Sequence, residues 1–147
     1  MVRPKIIYGI GVAVLISCNI AKDTALAKFP NKKQSSFTMQ IPKGYVFKGQ
    51  EGDSEDENLY IYPDSSMLFI TDFTNSPNYD ILVKEKLYYT KFAANVLSND
   101  TLFLEGVSKD KHWRDITYGR KICIGYSNVS KVKKPQFDQA LKSFRAK

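Results

Sequence analysis

The sequence predicts an α+β fold, with an antiparallel sheet and two amphipathic helices packed on it. Three strand-like segments, 102–107, 113–118 and 122–126, are joined by links of only a few residues. Such short links make the strands antiparallel neighbours, because a parallel crossover needs about a dozen residues or more. Two other segments, 76–97 and 135–144, carry apolar residues at helical spacing. Together these patterns predict one small domain of mixed structure.

The first half of this domain is predicted to be strands separated by tight turns. Phe37, Met39 and Ile41 alternate with polar residues, the pattern of a half-buried strand. Further strands are predicted at 45–47, 59–62 and 67–71. Proline, glycine, aspartate and serine lie between several of these segments, as expected for tight turns. The domain is therefore predicted to begin at Phe37 and to occupy 37–147.

Two helices complete the prediction. The central helix starts at a cap, Ser76 or Asn78, and continues to about Leu97. At about 100° per residue, the side chains predicted to face the sheet are Ile81, Leu82, Tyr88, Tyr89, Phe92 and Val96. Those predicted to face away are Lys84, Lys91 and Asn95. A final helix opens at Pro135 in its favoured first-turn position. Its apolar stripe comprises Phe137, Ala140, Leu141 and Phe144.

The amino-terminal segment is typical of an export signal. Arg3 and Lys5 precede an apolar run, 6–16, that is too short to span a bilayer, which needs about 20 residues. The run closes on Leu-Ile-Ser-Cys at 15–18, and this resembles a bacterial lipobox. The resemblance implies that 1–17 is a signal peptide and that Cys18 carries lipid chains, palmitate among them. Residues 18–36 are then interpreted as the lipidated cysteine and a flexible tether.

Two other interpretations of the amino terminus stay open. The motif Ala-Leu-Ala at 25–27 has the A-x-A form of ordinary secretory cleavage, although Lys22 and Asp23 separate it from the apolar run. Alternatively, the apolar run is the buried first helix of a cytosolic domain, although it lacks a polar face. If Cys18 is lipidated, Cys123 has no partner for an intrachain disulfide, because the chain has two cysteines.

The order of elements resembles a known superfamily. The stretch FTMQIPKGY, a central helix, the meander that ends in RKICIGYSNV and the segment FDQALKSF are together similar to PsbP-like domains. These small domains include bacterial lipoproteins. The resemblance implies an α/β/α arrangement, with the antiparallel sheet between the two helices. It also implies a role in assembly or binding and transfers no catalytic residues.

Charge is distributed unevenly along the chain, whose formal net charge is +7. Residues 43–83 hold two lysines against eight acidic residues, whereas 84–147 hold 14 basic against six acidic residues. This asymmetry is consistent with a basic interaction face or with an ordinary solvated surface. For an exported protein we expect an anionic lipid or polysaccharide partner rather than nucleic acid.

The candidate functional residues are few. His112 is the only histidine, and no nucleophile motif accompanies it. His112 and Asp115 fall on opposite faces of a strand if both lie in it. We therefore predict a surface histidine and no catalytic site. An aromatic and basic contact patch is instead predicted from His112, Trp113, Arg114 and Tyr118.

The sequence contains few features that indicate metal binding or a reactive thiol. Cys123 lies between two isoleucines, so we predict a buried, unreactive side chain rather than a low-pKa thiol. One histidine and no cysteine pair leave a zinc site without ligands. The acidic loop at 50–58 lacks the spacing of an EF-hand, so a solvated loop is preferred over a calcium site. No cofactor is expected.

These observations predict a membrane-anchored, periplasm-facing lipoprotein of the bacterial cell envelope. It would act as a non-enzymatic module that binds a protein or an envelope component. The alternative is an immunity or inhibitor protein against an exported toxin or hydrolase. Asn19 after the cysteine favours the outer membrane over the inner under the enteric sorting rule.

Overall fold

The computed structural model describes residues 24–30, 36–50, 57–72, 74–97, 100–119 and 122–146. Their elements, in chain order, are β1 (Thr24–Pro30), β2 (Ser36–Pro42), β3 (Val46–Gln50), β4 (Glu57–Ile61), β5 (Met67–Thr71), α1 (Tyr79–Lys84), α2 (Tyr88–Leu97), β6 (Thr101–Ser108), β7 (Lys111–Tyr118), β8 (Ile122–Val129), α3 (Lys134–Lys142) and β9 (Arg145–Ala146). All strand pairs are antiparallel. The α+β class is confirmed.

The larger sheet has six strands in the order β3-β4-β5-β8-β7-β6. The predicted antiparallel meander is confirmed, because β7 pairs with β6 on one side and with β8 on the other. Lys109 and Asp110 form the β6–β7 turn, with φ of 50° and 62°. Two positive φ values at a two-residue turn are those of a primed hairpin, whose twist matches that of the paired strands.

The two faces of this sheet differ in what covers them. Ile116, Ile124 and Tyr126 point to one face, which we call the core face, and α3 packs there. Asp115 and Cys123 alternate with them and point to the other face, which we call the polar face. Helices α1 and α2 supply the groups that meet the polar face.

A single hydrophobic cluster lies on the core face. The smaller sheet, in the order β1-β2-β9, joins α3 in covering it. Phe37, Met39 and Ile41 are buried there, which confirms the predicted half-buried strand. The buried side chains of α3 are Phe137, Ala140 and Leu141, as its stripe predicts. Phe144 follows the helix and packs against the same cluster.

The amino-terminal boundary of the domain differs from the prediction. The segment 18–36 was expected to be a tether, yet its residues Thr24–Pro30 form β1 and pair with β2 along their whole length. Ala27 is buried in the core cluster. The expected start at Phe37 is therefore wrong. The strand is held by backbone pairing with β2, and its two large apolar residues, Leu26 and Phe29, are three positions apart rather than at the alternating spacing that marks a strand in the sequence.

The predicted central helix is two helices. Lys86 adopts a φ of 58° between α1 and α2. The Leu87 amide donates to the Leu82 carbonyl, and the Lys86 amide donates to the Val83 carbonyl. This pair of bonds is a Schellman ending, which glycine usually supplies at the left-handed position. Because lysine occupies it here, the sequence carries no signal for the break.

The predicted signal peptide 1–17, Cys18 and the acidic residues 51–56 lie outside the described residues. Among the residues that the structure does describe, no helix is both long enough and apolar enough to cross a membrane.

Candidate functional site

Lys91 is the residue whose position differs most from the sequence prediction. It was expected to face solvent, but only 4% of it is exposed, on the inner side of α2. Its ammonium nitrogen lies 2.7 Å from Oδ2 of Asp115 on β7. The break at Lys86 resets the helical phase, so a wheel drawn through 76–97 places the residues of α2 on the wrong sides. A buried ion pair thus joins α2 to the sheet.

Asn78 connects the same carboxylate to α1. It occupies the N-cap position, as predicted, but its side chain makes no cap hydrogen bond. Its Nδ2 donates instead to Oδ1 of Asp115 at 2.6 Å and to the carbonyl oxygen of Tyr126 at 3.2 Å. Among the described residues, Oδ1 of Asn78 is the one buried side-chain oxygen or nitrogen that has no hydrogen-bond partner.

Cys123 completes this group, which we call the polar cluster: Asn78, Lys91, Asp115, Thr117 and Cys123. The thiol is buried, as predicted, but its neighbours are polar. Its sulfur accepts hydrogen bonds from Lys91 at 3.4 Å and from the Thr117 hydroxyl at 3.6 Å. The thiol is also 3.8 Å from Oδ2 of Asp115. The surroundings of Cys123 are therefore those of a buried polar network.

Burial and charge set the protonation states within the polar cluster. Burial, together with the charge of Asp115, raises the pKa of the Cys123 thiol to about 12, although Lys91 and Thr117 oppose that rise. Burial also disfavours the ammonium form of Lys91, but the facing Cys123 and Asp115 outweigh it and raise its pKa. At neutral pH the cluster therefore holds a thiol and an ammonium group.

A second feature lies on the outer side of the same helices. The aromatic surface, as we call it, comprises Tyr79, Val83, Tyr88, Tyr89 and Phe92. Tyr89 is 79% exposed and Phe92 51%, although both were predicted to face the sheet. The rings of Tyr79 and Tyr88 lie 5.0 Å apart, and those of Tyr88 and Tyr89 lie 5.8 Å apart. The rings of Tyr79, Tyr88 and Tyr89 thus form a continuous row across α1 and α2.

The predicted contact patch is not one surface. Trp113 is buried on the polar face against Gly106, where an added Cβ would lie 2.9 Å from the indole. Its strand neighbours His112 and Arg114 are half-buried. Strand alternation separates Trp113 from Arg114 and Tyr118, so a patch containing all four residues is wrong.

Arg114 and Tyr118 line a groove of about 460 Å³ on the core face, between β6 and α3. Arg114 is engaged there, since it forms ion pairs with Glu105 and with Asp138, the latter at 2.8 Å. Tyr118 stacks on Phe144 with ring centroids 5.3 Å apart. Because its guanidinium group is already paired with two carboxylates, Arg114 offers little unneutralised charge to a ligand.

His112 and Asp115 lie in different surroundings. Asp115 is occupied by Asn78 and Lys91 on the polar face. His112 lies in β7 opposite Val107. The described part of the chain holds no group of three potential metal ligands.

Sequence reasoning missed the polar cluster and the aromatic surface for the same reason. The segment 88–92 reads Tyr-Tyr-Thr-Lys-Phe, with more aromatic residues than one buried face accommodates. A single lysine among them is the residue that the fold buries. Asp115 is the one acidic residue of strand β7 and was the available signal for the partner of this lysine.

No protein-family model, curated protein or solved structure matches this chain. Two features of the described residues therefore bear on function, the polar cluster and the aromatic surface. One is closed to solvent and joins the helices to the sheet, and the other is open to it.

Proposed function

We propose that this protein is a lipid-anchored, periplasm-facing envelope lipoprotein that binds a protein partner through its aromatic surface and has no catalytic role. The observation that carries this proposal is the exposure of Tyr79, Tyr89 and Phe92 on α1 and α2, where Tyr88 contacts the rings of both Tyr79 and Tyr89. Aromatic side chains are enriched in the buried cores of protein interfaces. Leaving several of them exposed together is costly unless a partner covers them.

The inner side of the same helices supports a preformed contact surface. Lys91 and Asn78 both bind Asp115, which fixes α2 and α1 against one strand. A surface held in place loses less conformational entropy when a partner binds. The polar cluster therefore supports binding from beneath, without itself contacting the partner.

The lipid anchor is proposed at Cys18, followed by a short spacer. Because β1 begins at Thr24, the spacer would be residues 19–23 rather than 19–36. Fully extended, these five residues reach at most about 18 Å at about 3.6 Å each. The domain would stay near the membrane surface, and its partner would be a membrane-proximal protein.

The position of β1 favours lipoprotein processing over ordinary secretory cleavage. Cleavage after Ala27 would remove more than half of a strand that pairs with β2 from Thr24 to Pro30. It would also remove Ala27 itself from the core cluster. Processing at Cys18 keeps the strand intact.

The PsbP-like relationship remains part of the proposal. Its support is that α3 and the α1–α2 pair lie on opposite faces of an antiparallel sheet. The proposed outer-membrane location depends on Asn19 alone. The first concerns evolutionary relationship and the second concerns cellular location. Neither bears on the binding surface.

Site-specific photocrosslinking in cells tests the binding proposal. A photoreactive phenylalanine analogue at Tyr89 in the full-length lipoprotein should yield a discrete crosslinked protein. The same analogue at Phe103, which is 67% exposed on β6, is the matched control. Crosslinking at both positions or at neither contradicts the proposal.

The identity of the crosslinked protein separates the two functional classes. An exported toxin or hydrolase, together with protection of cells by this protein alone, would show the immunity or inhibitor role. A resident envelope protein would show the structural binding role. In either case, Tyr89→Ala with Phe92→Ala should abolish the complex, whereas Phe103→Ala should preserve it.

The anchor has its own test, which does not depend on the partner. Wild-type protein should partition into the detergent phase and incorporate labelled palmitate, and Cys18→Ser should lose both properties. Mass spectrometry of the mature protein should find Cys18 at its amino terminus. A mature terminus at Lys28 would instead establish secretory cleavage.

A further inference from the structure

An amine and a thiol from different elements meet inside the polar cluster. The Lys91 amine on α2 and the Cys123 sulfur on β8 are 3.4 Å apart. Both side chains are buried, with Lys91 4% exposed and Cys123 0%. Because the two elements approach across the sheet face, a covalent link between these atoms would join α2 to β8.

A base lies beside both atoms. Oδ2 of Asp115 is 2.7 Å from the Lys91 nitrogen and 3.8 Å from the Cys123 sulfur. It is positioned to take the proton that the ammonium group must lose before its nitrogen can react. Thr117 donates to the sulfur from the neighbouring strand, so the thiol is oriented as well as buried.

We propose that Lys91 and Cys123 form an oxygen-bridged nitrogen–oxygen–sulfur crosslink when the protein is oxidised by dioxygen. The N–O and O–S bonds form, while one N–H bond, the S–H bond and the O=O bond break. One oxygen atom of dioxygen remains in the bridge, and the other leaves as water with two hydrogens. The ammonium proton passes to Asp115. Dioxygen accepts four electrons, and the thiol and amine together lose four.

Burial favours the bridge over the usual oxidation products of cysteine. Sulfinic and sulfonic acids add two or three oxygen atoms to the sulfur. Tightly packed interiors do not accommodate such added volume without strain. The bridge adds one oxygen atom between groups that already touch. Reduction by a dithiol reverses it, and two dithiols are consumed for each bridge.

The crosslink would make the helical layer sensitive to redox conditions. It would tie α2 covalently to the sheet beneath the aromatic surface, so oxidised protein should melt at a higher temperature than reduced protein. This proposal does not rest on the proposed function. It requires only the contact between Lys91 and Cys123.

Mass spectrometry of the full-length lipoprotein tests the crosslink. After exposure to air, the protein should gain the mass of one oxygen atom less two hydrogen atoms. Trypsin should no longer cut after Lys91, and one branched peptide should contain both Lys91 and Cys123. Dithiol treatment should restore the original mass and cleavage.

Two variants serve as controls. Cys123→Ala retains the Lys91–Asp115 pair but lacks the sulfur, and Lys91→Arg retains the charge but lacks the reactive amine. Neither should gain the bridged mass, while both should keep the wild-type circular dichroism spectrum. A wild-type protein that gains only whole oxygen atoms or nothing, or a Cys123→Ala protein that gains the bridged mass, overturns the proposal. Peptide mapping distinguishes reactions at Cys18.

Discussion

The two faces of the six-stranded sheet hold their helices by different forces. On the core face, α3 buries Phe137 and Leu141 in a continuous hydrophobic cluster. On the polar face, α1 buries Leu82, and α1 and α2 are also joined to the sheet by Asn78 and Lys91 through a single carboxylate, Asp115. Apolar burial contributes about 25 cal/mol per Å² without depending on direction. A buried ion pair contributes only when its geometry satisfies both charges.

The difference explains why each layer has its particular surface. The hydrophobic layer directs the apolar stripe of α3 inward and leaves polar residues outside. The polar layer directs a lysine inward, and the aromatic residues of α2 are therefore left outside. The proposed binding surface is thus a consequence of how the helix is attached. Substitutions on each face of the sheet therefore test the two attachments separately.

The largest effect is expected when the buried charge pair is broken. Lys91→Met leaves the Asp115 carboxylate buried without its counter-ion. The free energy of unfolding should fall by about 3–5 kcal/mol, measured by urea denaturation. Denaturation monitored by tryptophan fluorescence reports this face directly, because Trp113 is the only tryptophan.

A double variant tests whether the loss arises from the unpaired charge. Lys91→Met with Asp115→Asn removes both charges and should recover part of the stability lost by Lys91→Met alone. If the two substitutions are simply additive, the ion pair is not what joins α2 to the sheet.

A smaller loss is expected on the core face. Leu141→Ala should lower the free energy of unfolding by about 2–5 kcal/mol through lost burial and the cavity that it leaves. Leu26→Ala on the exposed side of β1 is the matched control and should change stability by less than about 0.5 kcal/mol. Equal losses for the two leucines would contradict the placement of the core.

A further expected effect is confined to alkaline pH and isolates the thiol. The pKa of Cys123 is raised from 9.0 to about 12, so the folded state keeps a proton that the unfolded state releases. Its contribution to stability is present below pH 9 and is lost as pH rises toward 12. Wild-type protein should therefore lose stability more steeply over this range than Cys123→Ala, in denaturation followed as a function of pH. Parallel curves would contradict the raised pKa.

Much of the sheet could be predicted from the chain alone. The alternation of Phe37, Met39 and Ile41 correctly predicted a half-buried strand, and the short links correctly predicted the meander. The stripe of α3 correctly predicted its buried side. These predictions succeed because local periodicity and loop length directly determine which side of an element meets an apolar neighbour.

The predictions failed where a partner distant in sequence determines the local structure. β1 forms because β2 supplies its hydrogen-bond partners, so its own composition gives little indication of a strand. The direction of α2 depends on Asp115, 24 residues beyond Lys91. Trp113 entered the predicted contact patch because sequence alone does not show which face of β7 is covered.

The sequence by itself determined the α+β class, the antiparallel meander, the apolar stripe of α3 and the burial of Cys123. Each follows from local spacing and from the cost of exposing apolar area to water. Only the tertiary structure decided where the central helix breaks, which side of α2 is buried and which groups surround Cys123. Those outcomes depend on a helix ending with lysine at a left-handed position and on a charge pair across two elements. Both are long-range or backbone effects that no periodicity in the sequence encodes.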